Sequence, residues 1–309
     1  MTSFKITIRL KSLLLVWVVF IACPSMLYAK DNLKVSIQQD TLHVDAPEHP
    51  LLVYKFSNTP FKPYVQKLFT PTGKNILRDA PHDHLHHHAL MFAVSLNGIS
   101  FWEESENAGK QEHQSFQQLE NKQSSRSVFR ESLVWKNPAN EILANEFRTI
   151  QVEILPKQQA TLLTWETSLV PGKGAISVGG SHYYGLGMRF IESMDKIGAF
   201  TNSENADGDI FRGEERLTNA NWCAYSVIGE FPATVCMMND PQNKRPATWF
   251  TMPTPFSYLS ATLRYHEKPF EITKDSPLNL RYAVAVWDGI KTNKQIEMSY
   301  QEWIQRNIK

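Results

Sequence analysis

The chain has 309 residues, 42% of them hydrophobic, enough to bury a large core as one domain or as two closely packed ones. Lysine plus arginine number 32 against 31 aspartate plus glutamate, so no basic footprint for nucleic acid or an anionic membrane surface is present. Seventeen Phe, ten Tyr and eight Trp supply aromatic surface of the kind that exported all-β proteins use as core and as platforms for sugar rings.

The amino terminus reads as an export signal. Lys5, Arg9 and Lys11 precede an apolar run over residues 12–22, which is too short to cross a bilayer comfortably. Leu27-Tyr28-Ala29 places a cleavage site before Lys30, making residues 1–29 a signal peptide and 30–309 a single mature domain. Phe20-Ile21-Ala22-Cys23 also resembles a bacterial lipobox, which would end the signal before Cys23 and leave a lipid anchor there. Either route exports the chain, as a periplasmic or secreted protein or as an outer-membrane lipoprotein.

Past the signal, strand follows strand. Residues 33–37, 41–44 and 51–56 alternate apolar and polar side chains between polar or proline-containing breaks. Residues 64–69 lead into the turn Thr70-Pro71-Thr72-Gly73. The stretch 78–113 then holds six of the ten histidines. Asp83, His84, His86, His87 and His88 come first, the apolar run 89–94 follows, and Asn97-Gly98 signals a type I′ turn into a return strand ending at Trp102, Glu103 and Glu104. Further strands are expected over 127–135, 147–155, 161–169, 176–178, 183–190, 222–228, 233–238, 247–252, 261–265 and 280–287. The short spacings predict a large antiparallel β-sandwich rather than βαβ units, with no linker to divide it. A long polar loop is expected over 201–221, a length that favours function as a lid or wall. One helix is expected at the carboxy terminus, where Thr292 and Gln295 form a capping-box pattern ahead of Ile296, Tyr300, Trp303 and Ile304 on one face.

The chemistry concentrates in the histidine stretch. On a strand beginning near His84, the side chains of His84, His86 and His88 share one face and His87 points to the other. His84 and His86 suit proton transfer, or a two-point grip on a divalent metal with Asp83, Glu103 or His113 as third ligand. Glu103 and Glu104 point oppositely, so one of them faces a cleft. The run from Gly179 to Phe190 predicts a second feature: Tyr183, Gly185, Gly187 and Arg189 share a face, and the two glycines leave a trough ending at a guanidinium that suits sugar hydroxyls or a carboxylate. The loop Asn239-Asp240-Pro241-Gln242-Asn243-Lys244-Arg245-Pro246 reads as structural, its Asp and Asn side chains satisfying local backbone donors. Export permits a disulfide between Cys223 and Cys236, and two buried free thiols on neighbouring strands are the favoured alternative.

Several of these stretches together resemble one family. TPTGKNILRD, DHLHHHALMFAVSLNGISFWEE, GKQEHQSF, GLGMRF, NDPQNKRP and LRYAVAVWDG are similar to DUF6807, whose label "methane oxygenase PmoA" asks for apolar spans of about 20 residues that the mature chain lacks. Asp83, His84, His86 and His87 match its Asp-His-Pro-His-His-Arg-Gly-Leu pattern, whereas Leu85, His88 and Ala89 depart from it. Glu103 stands where the family carries a histidine after Phe-Trp, and the histidine of its Asp-His-Pro is missing at Asn239-Asp240-Pro241. The resemblance implies an exported β-sandwich, a large mutarotase-like supersandwich among the forms considered, acting on carbohydrate in the manner of glycosidases.

The reading that follows is a glycosidic-bond hydrolase acting on a glycan or glycoside. His84, His86, Asp83, Glu103 and His113 form its acid–base set; Arg189, Tyr183, Trp102 and His87 bind substrate. A sugar epimerase or metal-dependent lyase on the same histidines is the alternative within enzymes, and a non-catalytic carbohydrate-binding protein is the alternative outside them.

Overall fold

The computed structural model describes residues 32–120 and 125–306, and the expected signal segment, its cleavage point and Cys23 lie outside the described residues. Over those residues the chain is all-β, built from two large antiparallel sheets and a small one, with an α-helix near its carboxy-terminal end. The first sheet runs Lys34–Gln38, Thr41–Asp45, Pro50–Lys55, Tyr64–Leu68 and Leu90–Ala93 in spatial order. It continues through Gly185–Arg189, Tyr258–Thr262, Thr248–Met252 and Glu215–Asn219, and ends at Asp209–Arg212. The second runs Gly198–Asn202, Trp222–Val227, Ala233–Asn239, Leu278–Asp288, Ala160–Pro171, Ile142–Leu155, Arg126–Lys136 and Lys110–Glu120. A small sheet of Phe270–Ile272, Ile176–Gly179, Ser95–Leu96 and Ile99–Ser100 stands beside them.

The period-two alternation decides which face each strand buries. Leu186, Met188 and Phe190 belong to the core between the two large sheets, where Phe190 meets Tyr225 of the second sheet at 4.8 Å between ring centroids. Gly187 and Arg189, one residue out of phase, therefore face the opposite side of the first sheet, together with their register partners Ser260 and Tyr258. That outer face carries the site.

The core between the sheets also holds a polar network. Arg148, fully buried, donates from Nη1 to Tyr54 Oη (2.9 Å) and Pro63 O (3.1 Å), and from Nε and Nη2 to Glu146 (2.9 and 2.8 Å). Tyr54, from the first sheet, donates to Glu131 of the second, and His113 lies 2.6 Å from the other oxygen of Glu131. With each partner paired, the network joins one sheet to the other across an otherwise apolar interior.

The helix, Asn293–Gln305, begins at the Thr292 cap with the reciprocal Gln295 bond that the sequence signals. Ile296, Tyr300 and Trp303 bury against Leu162, Trp222, Met238 and Trp287 on the outer face of the second sheet, rather than on a sheet edge or the end of the sandwich. Cys223 points into the inter-sheet core while Cys236 lies under this helix, so the two thiols are free and sit on opposite faces of their sheet. Among the described residues no helix is long and apolar enough to cross a membrane.

Three expectations about local structure change. The histidine stretch is not a strand: His84 N to Pro81 O and His87 N to His84 O, both 2.9 Å, close two successive turns. Their neck is fixed by Ala80 N to His87 O at 2.9 Å and by a bridge between Asp79 and His88. Pro81 starts the first turn and no neighbouring strand offers a ladder to residues 82–87. The segment 201–221 is no open loop, because Asp209–Arg212 and Glu215–Asn219 pair there as a hairpin. The strand expected at 261–265 is Tyr258–Thr262.

Candidate active site

A cleft of about 350 Å³ lies on the outer face of the first sheet. Its floor comes from the sheet itself: Phe250 and Met252 on one strand, Tyr258 on the next, and Glu215 on the strand beyond Phe250. The two histidine turns bring His84, His86 and His87 to one wall, with Phe256 beside them. The segment after the Asn97-Gly98 turn, whose φ values of 50° and 81° suit type I′, brings Trp102 and Glu103. His182 and Tyr183 form another wall, and Arg212 reaches in from the edge hairpin. Stretches far apart in sequence thus converge where the sheet provides a shared base.

Glu103 is the half-buried carboxylate of the cleft. Tyr184 donates to its Oε1 at 2.5 Å and Ser100 to its Oε2, while Trp102 N donates to Ser100 Oγ at 3.1 Å. Burial alone raises a carboxyl's pKa, but here the Ser100 and Tyr184 hydrogen bonds outweigh it and hold Glu103 below its ordinary value. It is an oriented carboxylate biased toward its ionised form. Glu104 turns the other way, to Lys62 and His88.

Three imidazoles of the cleft, His86, His87 and His182, are biased toward the neutral form. His84, His86 and His87 stand with ring centroids 4.6 to 5.8 Å apart. Burial pushes His87 down to about 2, with the neighbouring histidines and Arg189 adding to it. Burial, Lys62 and His84 likewise lower His86. His182 is pushed down to about 4 by burial, His266 and Arg212. Several buried polar atoms that line the cleft have no hydrogen-bond partner among the described residues: Trp102 Nε1, His87 Nδ1, Tyr258 Oη, His182 Nε2 and Glu215 Oε2.

Behind this wall lies a charged cluster that the sequence did not signal. His88 sets Nδ1 3.0 Å from Asp79 and Nε2 2.8 Å from Glu104, and its ring stacks on Tyr64 at 4.5 Å. Lys62, wholly buried, donates to the same Glu104 oxygen at 2.9 Å and to Trp102 O at 3.1 Å. Burial disfavours the His88 cation, but the two carboxylates outweigh it and its pKa is raised. Glu104 and Asp79 are held down in turn, chiefly by His88 against their burial. The cluster fixes Trp102 and hence the backbone that carries Glu103.

The sequence-derived residues divide accordingly. His84, His86, His87, Trp102, Glu103 and Tyr183 come together in the cleft. Asp83 does not line it; it is a largely exposed residue 3.1 Å from His84 Nδ1. His113 belongs to the inter-sheet Glu131 network, on the other side of the first sheet. Arg189 is buried behind Phe256, its guanidinium 3.4 Å from the ring centroid and 3.6 Å from Asp195, and it does not reach the cleft. The trough expected at Gly187 is occupied by the Tyr258 hydroxyl and the Trp102 ring, which a Cβ there would strike. Trp102 is wholly buried and stacked on Tyr184 (5.2 Å, 11°), so it braces the wall rather than offering an open face. As for a metal, no group of three His, Cys, Asp or Glu residues among those described is arranged to hold one, His84 and His86 included.

The sequence assigns no role to His182, Phe250, Phe256 and Tyr258, and places Arg212 and Glu215 only as part of a lid or wall. His182 adjoins the Gly179-Gly180 pair, and the hairpin lies inside the segment read as a wall; the aromatic residues look like any buried strand. A larger groove of about 520 Å³ on the outer face of the second sheet has its charges paired already, Arg281 meeting Asp240 at 2.9 Å and Glu166 at 3.3 Å.

Comparison with known proteins adds a family and distant folds. The model of a family described as "Family of unknown function (DUF6807)" matches residues 41–301. No curated protein matches the chain. An alpha-galactosidase from Lactobacillus brevis aligns at 6% identity and a TM-score of 0.46, over 84% of this chain and 40% of that one. The GH36 alpha-galactosidase AgaA from Geobacillus stearothermophilus aligns at 6% and 0.46, over 83% and 41%. The chain therefore spans about two fifths of the length of these enzymes.

Proposed function

This chain belongs to DUF6807, a family of unknown function, and from its site we propose that it is a carbohydrate-active enzyme that hydrolyses a glycosidic bond in a glycan or glycoside. The observation that carries the reading is the lining of the cleft. Trp102 Nε1, His87 Nδ1, Tyr258 Oη, His182 Nε2 and Glu215 Oε2 are buried without partners, each at a cost of about 1–3 kcal/mol. A polyhydroxylated ring presents alternating donors and acceptors that relieve this cost, and a volume of about 350 Å³ accommodates a monosaccharide unit.

In the proposed reaction Glu103 takes a proton from the attacking water, the water oxygen bonds to the anomeric carbon and the glycosidic C–O bond breaks. His84, with Asp83 3.1 Å from its Nδ1, gives a proton to the leaving oxygen. His86 and His87 hold hydroxyls, and Tyr183 closes the wall over them. The export signal expected at the amino terminus would carry this chemistry outside the cytoplasm.

Glu103→Gln should lower glycoside turnover by about 10²- to 10⁴-fold, the usual worth of a positioned acid or base, with the melting temperature nearly unchanged. Release of reducing sugar from natural and aryl glycosides measures the rate; an undiminished rate in the variant would remove Glu103 from the mechanism. One observation favours a second reading. His86 and His87, biased toward the neutral form, each offer one nitrogen that can take a proton, which suits abstraction of a C–H proton by an epimerase or lyase. Incorporation of solvent deuterium into recovered sugar, without hydrolysis, would select it.

A further inference from the structure

The edge hairpin and the strand-entry residue His182 meet in a geometry that the proposed function leaves unspecified. His182 is clamped on several sides: Phe211 stacks on it at 3.6 Å, and Tyr183 and Phe250 meet its edge and face at 4.8 and 5.1 Å. The ring cannot swing without breaking this packing. Its Nδ1 lies 3.1 Å from Ser181 Oγ. Glu215, 6% exposed, is held from the other side, with Arg212 Nη2 2.7 Å from its Oε1. What remains are His182 Nε2 and Glu215 Oε2, both buried, both lining the cleft, both without a hydrogen-bond partner and 4.0 Å apart.

A separation of 4.0 Å is too long for a direct hydrogen bond. It suits one oxygen placed about 2.8 Å from each atom, at an angle of about 90°. The protons assign the roles. The arrangement with Ser181 donating to Nδ1 is the one that puts the hydrogen of a neutral ring on Nε2, and Glu215, paired with Arg212, then accepts. The inserted group must therefore accept from the nitrogen and donate to the carboxylate. A hydroxyl does both; an ether oxygen, a carboxylate or a methyl group does not.

We propose that His182 and Glu215, oriented by Ser181 and Arg212, form a subsite that selects a substrate carrying a free hydroxyl at one ring position. The chain runs from Ser181 Oγ–H to His182 Nδ1, from His182 Nε2–H to the ligand oxygen, and from the ligand O–H to Glu215 Oε2. The groups facing His182 from packed elements are Glu215 and Arg212 on the hairpin and His266 at 6.0 Å between ring centroids. This inference rests on the carbohydrate reading and narrows it. It specifies a sugar unsubstituted at that position, so glycans acylated, methylated or branched there are excluded.

The test is calorimetric binding of methyl glycosides of glucose, galactose, mannose and xylose to the full chain, to His182→Phe, which keeps a ring in the clamp, and to Glu215→Gln. The glycoside that binds the wild type should weaken by about ten- to a hundred-fold in each variant, the worth of a hydrogen bond to a charged group. The double variant should lose little more than either single, because one hydroxyl bridges both. The deoxy analogue at a single ring position should show the same loss with the wild type and no further loss with the variants. Nitrogen-15 spectra of His182 should show a neutral ring protonated on Nε2. Unchanged affinity in both variants, or a ring protonated on Nδ1, overturns the subsite alone. A wild type that binds none of the glycosides overturns the carbohydrate reading and this inference with it.

Discussion

Both ring nitrogens of His88 face carboxylates, and carboxylates only accept, so the ring satisfies Asp79 and Glu104 together only as an imidazolium. Such a cation is linked to pH in a definite direction. Its pKa lies above the ordinary value of 6.5, so its contribution to stability is complete below that value and is lost as pH rises through the folded-state value. Thermal melts of the wild type should fall on this alkaline side, and His88→Leu should flatten that fall while lowering stability by about 3–5 kcal/mol, because two carboxylates and Lys62 stay behind. Denaturant titration at pH 7 and pH 9.5 checks both; a variant with the wild-type slope would assign the alkaline loss elsewhere. His87 and His182 act at the other end. Held neutral, they bind fewer protons than the unfolded chain below pH 6.5, so acidification destabilises the fold. At this scale the sequence showed a cluster of histidines and that Glu103 and Glu104 must diverge. It could not show that His88 leaves the cluster for the interior, because that choice depends on Lys62 and Asp79, brought to it only by the fold.

Among elements, those with a strong local signal were legible. The capping box of Thr292 and Gln295 and the Asn97-Gly98 turn are set by a few adjacent residues, and both occur where their sequences place them. The carboxy-terminal helix also covers apolar sheet that would otherwise meet water, so its loss should be felt in the whole. Trp303→Ala should cost about 3–5 kcal/mol and Thr292→Ala about 1 kcal/mol, measured by urea unfolding. Equal losses would mean that the helix is held by its cap rather than by its packing. Less legible were strands such as Lys110–Glu120 and Asp209–Arg212, whose polar side chains give no clean alternation. They are strands because a neighbour supplies the ladder. The histidine turns failed in the opposite sense: alternation was written into residues 84–88, but no partner strand lies alongside.

At the scale of the molecule, the sandwich and the convergence of the histidine stretch with Glu103 and Tyr183 followed from pattern, whereas the positions of His113 and Arg189 depended on which face of the first sheet each meets. His113 was read with the other histidines but joins the Tyr54–Glu131–Arg148–Glu146 network between the sheets. Arg148→Leu would leave Glu146 without its cation in the dry interior, and an expected loss of about 3–5 kcal/mol should appear in denaturant titration with the cleft intact. A variant as stable as the wild type would show that an apolar contact replaces the network without penalty. The edge hairpin stands in contrast to that interior. Asp209–Arg212 is exposed along its whole length and hydrogen-bonded to the sheet on one side only, yet its turn supplies Arg212 and leads directly into Glu215. Under the proposed subsite, the residues that select the substrate lie largely apart from those that hold the fold. Leu217 of the hairpin's inner strand belongs to the core, whereas the outer strand and its turn do not, so substrate preference would shift by recoding that outer strand while the sandwich packing stays in place.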